Sequence, residues 1–168
     1  MAEKNFEECI KKSPYQGNVE FRQKMAKLHK KRLEDGLEYL KQPNFEAVFK
    51  KFGIDQKTLE FDQELDETHV AVCIGGQGNH SAFTTTFLGE GDEAILFQPM
   101  FLWYPHLENI GVDVKFTSLV FDNESKTYKV NFKELRELIT PKTKLITMIN
   151  PNNPNGKCFT LEELLELR

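Results

Sequence analysis

Residues 70–104 constrain the fold of this chain more than any other stretch, because two apolar runs flank a glycine turn. The first apolar run, 70–74, leads into residues 75–78 (GGQG), and a segment compatible with a helix follows. The second run, 94–97, ends in residues 98–104 (QPMFLWY), which are rich in aromatic side chains. The pattern predicts a strand, a tight turn, a helix, a second strand and an aromatic loop.

The second half of the chain continues this alternation. Alternating apolar residues predict a strand over 112–121, and the run KLITMI predicts another over 144–149. Capping boxes predict a helix over 132–139 and a further helix beginning at Leu161. With one more helix expected over 102–110, the order is typical of an α/β fold whose mostly parallel sheet carries helices on both faces.

The N-terminal part is predicted to be helical. Asn18 is expected to cap a first helix, which Gly36 interrupts, and Asn44 is expected to cap a short second helix. Gly53 fits the C′ position that ends the second helix. One surface of the first helix is basic, which fits either a solvated face or an anionic partner. Its basic residues are Lys24, Lys27, Lys30, Lys31 and Arg32.

Composition argues against several classes of function. The formal charge is −4, so no basic face for nucleic acid is indicated. No apolar run approaches the roughly 20 residues that a membrane span needs. The N-terminus has no apolar signal core and is rich in Glu, which argues against secretion or organelle import. The cytosol is therefore the expected location, with the mitochondrion as the alternative.

The cysteines and histidines suggest no metal site. Cys9, Cys73 and Cys158 are odd in number and lack metal-ligand spacing, so they are interpreted as free thiols in a reducing compartment. The histidines show no mutual spacing typical of a metal site or a catalytic triad, and they are interpreted as ordinary polar residues. They are His29, His69, His80 and His106.

Three loops that follow predicted strands could bind a ligand. The glycine turn at 75–78 could bring backbone N–H groups and a helix N-terminus to an anion, although an unliganded turn would look the same. The aromatic segment 98–104 could stack on a planar ring or simply pack, and the asparagine-rich turn 150–156 could donate hydrogen bonds or lie on the surface. Because parallel strands end at one sheet edge, these loops are expected to converge on one crevice.

A resemblance to a known family joins these segments. Five pieces occur in the family's order: Gly17 with Glu20-Phe21-Arg22, residues 74–78, Gly91-Asp92-Glu93, residues 99–104, and residues 150–157. The chain resembles the class I/II aminotransferases, the pyridoxal-phosphate enzymes of fold type I. Within them it is most similar to the kynurenine aminotransferase, glutamine transaminase K and cysteine-conjugate β-lyase branch.

The resemblance implies a fold and a set of cofactor contacts. The expected fold is the three-layer α-β-α large domain with a mostly parallel sheet, here incomplete. The backbone of Gly76 and Gln77 would bind the phosphate of pyridoxal 5′-phosphate. The Phe101 ring would stack on the pyridine ring, and the Asn153 amide would hydrogen-bond the 3′-oxygen. The family often has a tyrosine near residues 12–17 that reaches the partner's phosphate, but here Tyr15 is shifted, so that role is not transferred.

The resemblance also implies an activity that this chain alone should lack. The family transfers an amino group between an amino acid and a 2-oxo acid, usually as a homodimer. Its Schiff-base lysine, pyridine-nitrogen aspartate and carboxylate-binding arginine all follow the asparagine turn. No residue here takes those catalytic roles, and Lys157 matches a different position. The chain is therefore expected to be a truncated part of a transaminase. The alternatives are a non-catalytic remnant or partner-binding module that binds a phosphate ligand, or a different α/β nucleotide-binding domain.

The same resemblance also implies a division into domains. Residues 1–67 are expected to form an N-terminal helical segment, in which residues 36–67 resemble an insertion. Residues 68–168 are expected to form the first part of the cofactor-binding large domain. Because later strands of the family's sheet are not in this chain, we expect marginal stability or oligomerisation.

Overall fold

The computed structural model of the chain describes residues 16–168. The chain divides into two compact units, Met1–Gly76 and Gln77–Arg168. The interpretations of Cys9 and Tyr15 lie outside the described residues. Within residues 16–168, no helix combines the length and apolar character that a membrane span requires.

The first unit is built on a long helix, α1, Val19–Leu40. Asn18 caps it as predicted, because its side chain accepts a hydrogen bond of 2.9 Å from the backbone N–H of Phe21. The predicted interruption at Gly36 is wrong, since α1 continues through this residue. A single interior glycine costs a helix only about 1 kcal/mol relative to alanine, which the remaining turns can offset.

A short helix, α2, Glu46–Lys51, follows a 3-10 turn at Pro43–Phe45. The predicted cap at Asn44 is wrong, because Asn44 lies inside the 3-10 turn and no side-chain cap bond forms at either start. Gly53 ends the helix as predicted, with a positive φ of 67° that glycine adopts without steric cost.

The predicted strand at 70–74 is also wrong. These residues follow a 3-10 turn at Glu67–His69 and have no ladder partner in the described structure. The N–H of Val72 instead donates to the carbonyl of Gln16 at 3.0 Å, and the side chain of Ile74 is 94% exposed. An apolar run becomes a strand only where a neighbouring strand receives its hydrogen bonds.

Gly17 and Arg22 join the start of α1 to residues 67–72. Arg22 is buried, and its guanidinium donates to the carbonyls of Gly17 and Glu67. Gly17 has a φ of 96°, and an added Cβ would lie 2.7 Å from the Cβ of Val72. Glycine is therefore required here by both the backbone conformation and the space.

The second unit alternates helices and strands. The helices are α3, Gly75–Phe87, which begins two residues before the unit boundary, α4, Pro105–Asn109, α5, Phe132–Leu138, and α6, Leu161–Leu167. The strands are β1, Glu93–Gln98, β2, Asp113–Asp122, β3, Thr127–Val130, and β4, Thr143–Thr147.

The sheet has the order β3-β2-β1-β4. Strand β1 pairs in parallel with both β2 and β4, so the core of the sheet is parallel as predicted. Strand β3 was not predicted, and it pairs antiparallel with β2 across the turn that follows Asp122.

Strand β1 separates two apolar cores, one on each face of the sheet. Ile95 and Phe97 point to the side that α5 and α6 cover, where Leu135 and Phe159 complete the core. The intervening residues Ala94 and Leu96 point to the opposite side, where they meet Leu107 of α4. Alternate burial of successive residues on two faces confirms the predicted three-layer α/β arrangement.

Candidate functional site

The N-terminus of α3 is open to a ligand. Gly75 begins the helix with a φ of 65°, and the next two residues of the first turn, Gly76 and Gln77, are exposed. A Cβ built on Gly76 would meet no atom within 4 Å, so the space around it is free. The first N–H groups of a helix lack partners within the helix, and its dipole places partial positive charge there. This turn can therefore receive an anion.

A cavity lies between α3 and the aromatic loop that follows β1. Its volume is about 450 Å³. The residues that line it are Gln77, Gly78, Ser81, Leu102, Trp103, Pro105 and His106. The structure therefore brings the predicted phosphate-binding residue Gln77 next to the aromatic segment. Phe101 itself is not in this lining, and about half of its side chain is exposed, which leaves the ring free to contact a ligand.

The asparagine turn is bonded to the aromatic loop through Asn152. This side chain is 4% exposed, and its Nδ2 donates to the carbonyl of Pro99 and to Oδ1 of Asn155, each at 2.8 Å. The adjacent Asn153 is exposed, so its amide is free to reach a ligand. Sequence reasoning assigned no role to Asn152, although a repeated asparagine between two prolines already signalled a constrained turn.

Lys157 forms a buried ion pair with Glu163. Its Nζ lies 2.6 Å from the Glu163 carboxylate, and the lysine side chain is only 2% exposed. Burial acts to raise the pKa of Glu163, but the hydrogen bonds from Lys157 and from the backbone N–H groups of Thr160 and Val130 leave it below its usual value. The pair fastens the asparagine turn to the capping box of α6, which forms between Thr160 and Glu163 as predicted.

Two of the histidines contact each other, which their spacing in the sequence did not predict. Nδ1 of His80, on α3, lies 3.3 Å from Nε2 of His106, on α4. The His80 ring packs on Trp103 with a centroid distance of 3.8 Å, and His106 Nδ1 lies 2.7 Å from the Trp103 carbonyl. Since 26 positions separate these residues in the chain, only the fold reveals the pair.

Sequence comparison identifies the family. The model of the family "Aminotransferase class I and II" matches residues 3–168. The chain belongs to this family.

Relatives within the aminotransferase family include two curated enzymes. The chain is 34% identical over 126 residues to the aspartate aminotransferase of Geobacillus stearothermophilus, covering 73% of this chain and 29% of the relative. It is 36% identical over 121 residues to the kynurenine–oxoglutarate transaminase of Dictyostelium discoideum, covering 64% and 28%. The resemblance to kynurenine aminotransferases is thus confirmed.

Solved aminotransferase structures share the fold. Bna3p from Saccharomyces cerevisiae superposes with a TM-score of 0.59 at 31% identity, covering 64% of this chain and 27% of that one. This match confirms the expected aminotransferase fold for the part of the chain that it covers. The chain therefore spans roughly a quarter to a third of the length of these relatives.

The site fits the cofactor that this family uses. Pyridoxal 5′-phosphate needs N–H donors for an anion, an apolar face for its ring and a donor for its 3′-oxygen. The structure offers the open N-terminus of α3, the exposed ring of Phe101 and the exposed amide of Asn153. Asn152 links the last two segments, and the cavity beside Gln77 joins the aromatic loop to α3.

Proposed function

We propose that this chain provides the phosphate, ring and 3′-oxygen contacts of a pyridoxal-phosphate-dependent aminotransferase. The observation that carries the proposal is the convergence of three loops in the second unit. Gln77 of α3 and the aromatic loop line one cavity, and Asn152 bonds the aromatic loop to the asparagine turn. Membership of the aminotransferase family supports this assignment over a general anion-binding turn.

Each proposed residue has a distinct role. The backbone N–H groups of Gly76 and Gln77 bind the phosphate, because an anion is stabilised at a helix N-terminus. Phe101 packs against the pyridine ring and excludes water from one face, and the Asn153 amide orients the 3′-oxygen. When bound, the cofactor supplies an electron sink for negative charge at the α-carbon of an amino acid.

Amino-group transfer is proposed for a protein that combines these contacts with the lysine, aspartate and arginine described above. The proposal includes amino acid and 2-oxo acid substrates, a homodimeric assembly and a cytosolic location. It also includes the division into an N-terminal segment at 1–67 and a cofactor-binding part at 68–168.

Binding of pyridoxamine 5′-phosphate tests the proposal. This form of the cofactor carries an amine, so it cannot condense with surface lysines as the aldehyde does. We expect saturable binding that pyridoxamine, which lacks the phosphate, does not reproduce. Asn153→Ala and Phe101→Ala should each weaken binding about tenfold, the factor that corresponds to ~1.4 kcal/mol.

A matched control is available in the turn after β2. Asn123 is an exposed asparagine outside the three loops, so Asn123→Ala should bind the cofactor as the unchanged chain does. Equal losses in Asn123→Ala and Asn153→Ala would contradict the proposed site. Protection from proteolysis by a nucleotide, with no response to pyridoxamine 5′-phosphate, would favour another class of α/β domain.

A further inference from the structure

The His80–His106 pair has a defined proton arrangement. The Trp103 carbonyl can only accept, so Nδ1 of His106 carries a proton and donates to it. In the neutral ring, Nε2 of His106 is then an acceptor. Two groups can donate to it, the Nδ1–H of His80 at 3.3 Å and the Thr84 hydroxyl at 2.9 Å. His106 of α4 is thus hydrogen-bonded both to α3 and to the aromatic loop.

The same residues hold the aromatic loop against α3. The His80 ring packs on the indole of Trp103, and Thr84, one turn further along α3, is fully buried. Leu102 and Trp103, which flank the loop side of the cavity, directly follow the proposed ring-stacking residue Phe101. Gln77, on the opposite side of this cavity, lies less than one helical turn before His80.

We propose that His80 and His106 are positioning residues, which set the spacing between Gln77 on α3 and the loop that carries Phe101. This inference rests on the proposed function, because the two contacts that it aligns are those assigned to the phosphate and the ring. His106 also lines the cavity, but in this proposal the cofactor contacts belong to Gly76, Gln77, Phe101 and Asn153. The pair acts by fixing Trp103, and through it the loop.

Protonation opposes this arrangement. A proton on Nε2 of His106 would turn the acceptor into a donor and place two N–H groups face to face. Burial lowers the pKa of His80, and the nearby His106 lowers it further. The groups that face the two imidazoles are the Thr84 hydroxyl from α3, the Trp103 carbonyl from the loop, and each other.

The fluorescence of Trp103 reports on the pair directly, because Trp103 is the only tryptophan of the chain. A protonated imidazole quenches an indole on which it packs. We expect the emission of the unchanged chain to fall on acidification, with a midpoint below 6.5, the ordinary value for histidine. His80→Asn should abolish this titration, and His106→Asn should move its midpoint upward, because the repulsion from His106 is gone.

Cofactor binding tests the positioning role. At about pH 8, where imidazoles are neutral, His106→Phe keeps a ring but loses both hydrogen bonds. We expect it to bind pyridoxamine 5′-phosphate about tenfold more weakly, a factor equivalent to ~1.4 kcal/mol. His106→Asn can still donate to the Trp103 carbonyl and should lose less. His29→Asn, in an exposed part of α1, is the matched control and should change neither binding nor fluorescence.

The outcomes separate this inference from the proposed function. If the unchanged chain binds no pyridoxamine 5′-phosphate, the proposed function fails, and the fluorescence titration still tests the pair. If the unchanged chain binds and His106→Phe binds equally well, the positioning role is overturned. Emission that stays constant from about pH 8, above the ordinary histidine pKa, down to the onset of acid unfolding would also overturn it. The titration needs no variant, so it does not depend on the folding of His106→Phe.

Discussion

The two units of the chain bury their apolar side chains to very different extents. Among the buried apolar residues that the structure describes, only Ala26 and Phe49 belong to the first unit. In α1, Leu28 and Leu33 are about 40% exposed, whereas Ile95 and Leu96 in β1 are fully buried. The second unit thus depends on its core for stability, and the first depends more on caps, ion pairs and a few backbone contacts.

The largest expected effect is the loss of core packing in β1. Ile95→Ala removes a fully buried side chain from the core that α5 and α6 cover. It should therefore lower the free energy of unfolding by about 2–5 kcal/mol. Leu33→Ala removes a side chain that is 43% exposed in α1, so it should change the free energy of unfolding by no more than about 0.5 kcal/mol. Urea unfolding measures both. Similar losses in the two variants would remove the contrast between the units.

The backbone of the first unit has its own sensitive position. Gly17→Ala places a methyl group against Val72 at a positive φ, so it should destabilise the first unit by about 1–3 kcal/mol. Gly36 lies inside α1 with free space around it, so Gly36→Ala should stabilise the helix by up to about 1 kcal/mol. Thermal unfolding followed by circular dichroism should show opposite shifts. Shifts of the same sign would contradict this account.

Helix caps should affect each unit locally. Asn18→Ala removes the cap of α1 and Thr160→Ala removes that of α6, at a cost of about 1 kcal/mol each. Native-state hydrogen exchange resolves the two helices separately. We expect faster exchange of α1 amides in the first variant and of α6 amides in the second. Faster exchange of both helices in either variant would show that the two units unfold together.

The smallest expected effect is a change in how strongly low pH destabilises the fold. The pKa of Glu163 is lower in the folded chain, so its contribution is present above the ordinary value of 4.5 and is lost as the pH falls through that value and below. Glu163→Gln should reduce the acid sensitivity of the melting temperature. Glu20→Gln, which affects an exposed ion pair in α1, should leave it unchanged. A steeper acid transition in Glu163→Gln would contradict the assignment.

Local signals in the sequence predicted much of the second unit. The strand at 112–121 and the helix at 132–139 occur within a residue of their predicted bounds, because alternation and a capping asparagine are encoded locally. The resemblance to aminotransferases predicted which loops carry the candidate site. Apolar content alone was misleading at 70–74, because a strand also requires a partner and the described structure provides none there.

Contacts between distant segments could not be predicted from spacing. The antiparallel strand β3 depends on a turn that reverses the chain beside β2. The His80–His106 contact and the bond from Asn152 to Pro99 join residues that are 26 and 53 positions apart. Residue type gave no indication of these partners, since histidine and asparagine both occur often on exposed surfaces. The roles of Gly76, Gln77, Phe101 and Asn153 stay predictions until a ligand is titrated.

The central position of β1 has a consequence for synthesis on the ribosome. Glu93 pairs with Asp113 of β2 on one side and with Thr143 of β4 on the other. The second partner is made about 50 residues later, which takes roughly 3–10 s at common rates of translation. During that interval the β4 side of a strand with four consecutive apolar residues has no partner. Nascent chains of this protein should therefore depend on a holding chaperone until β4 emerges.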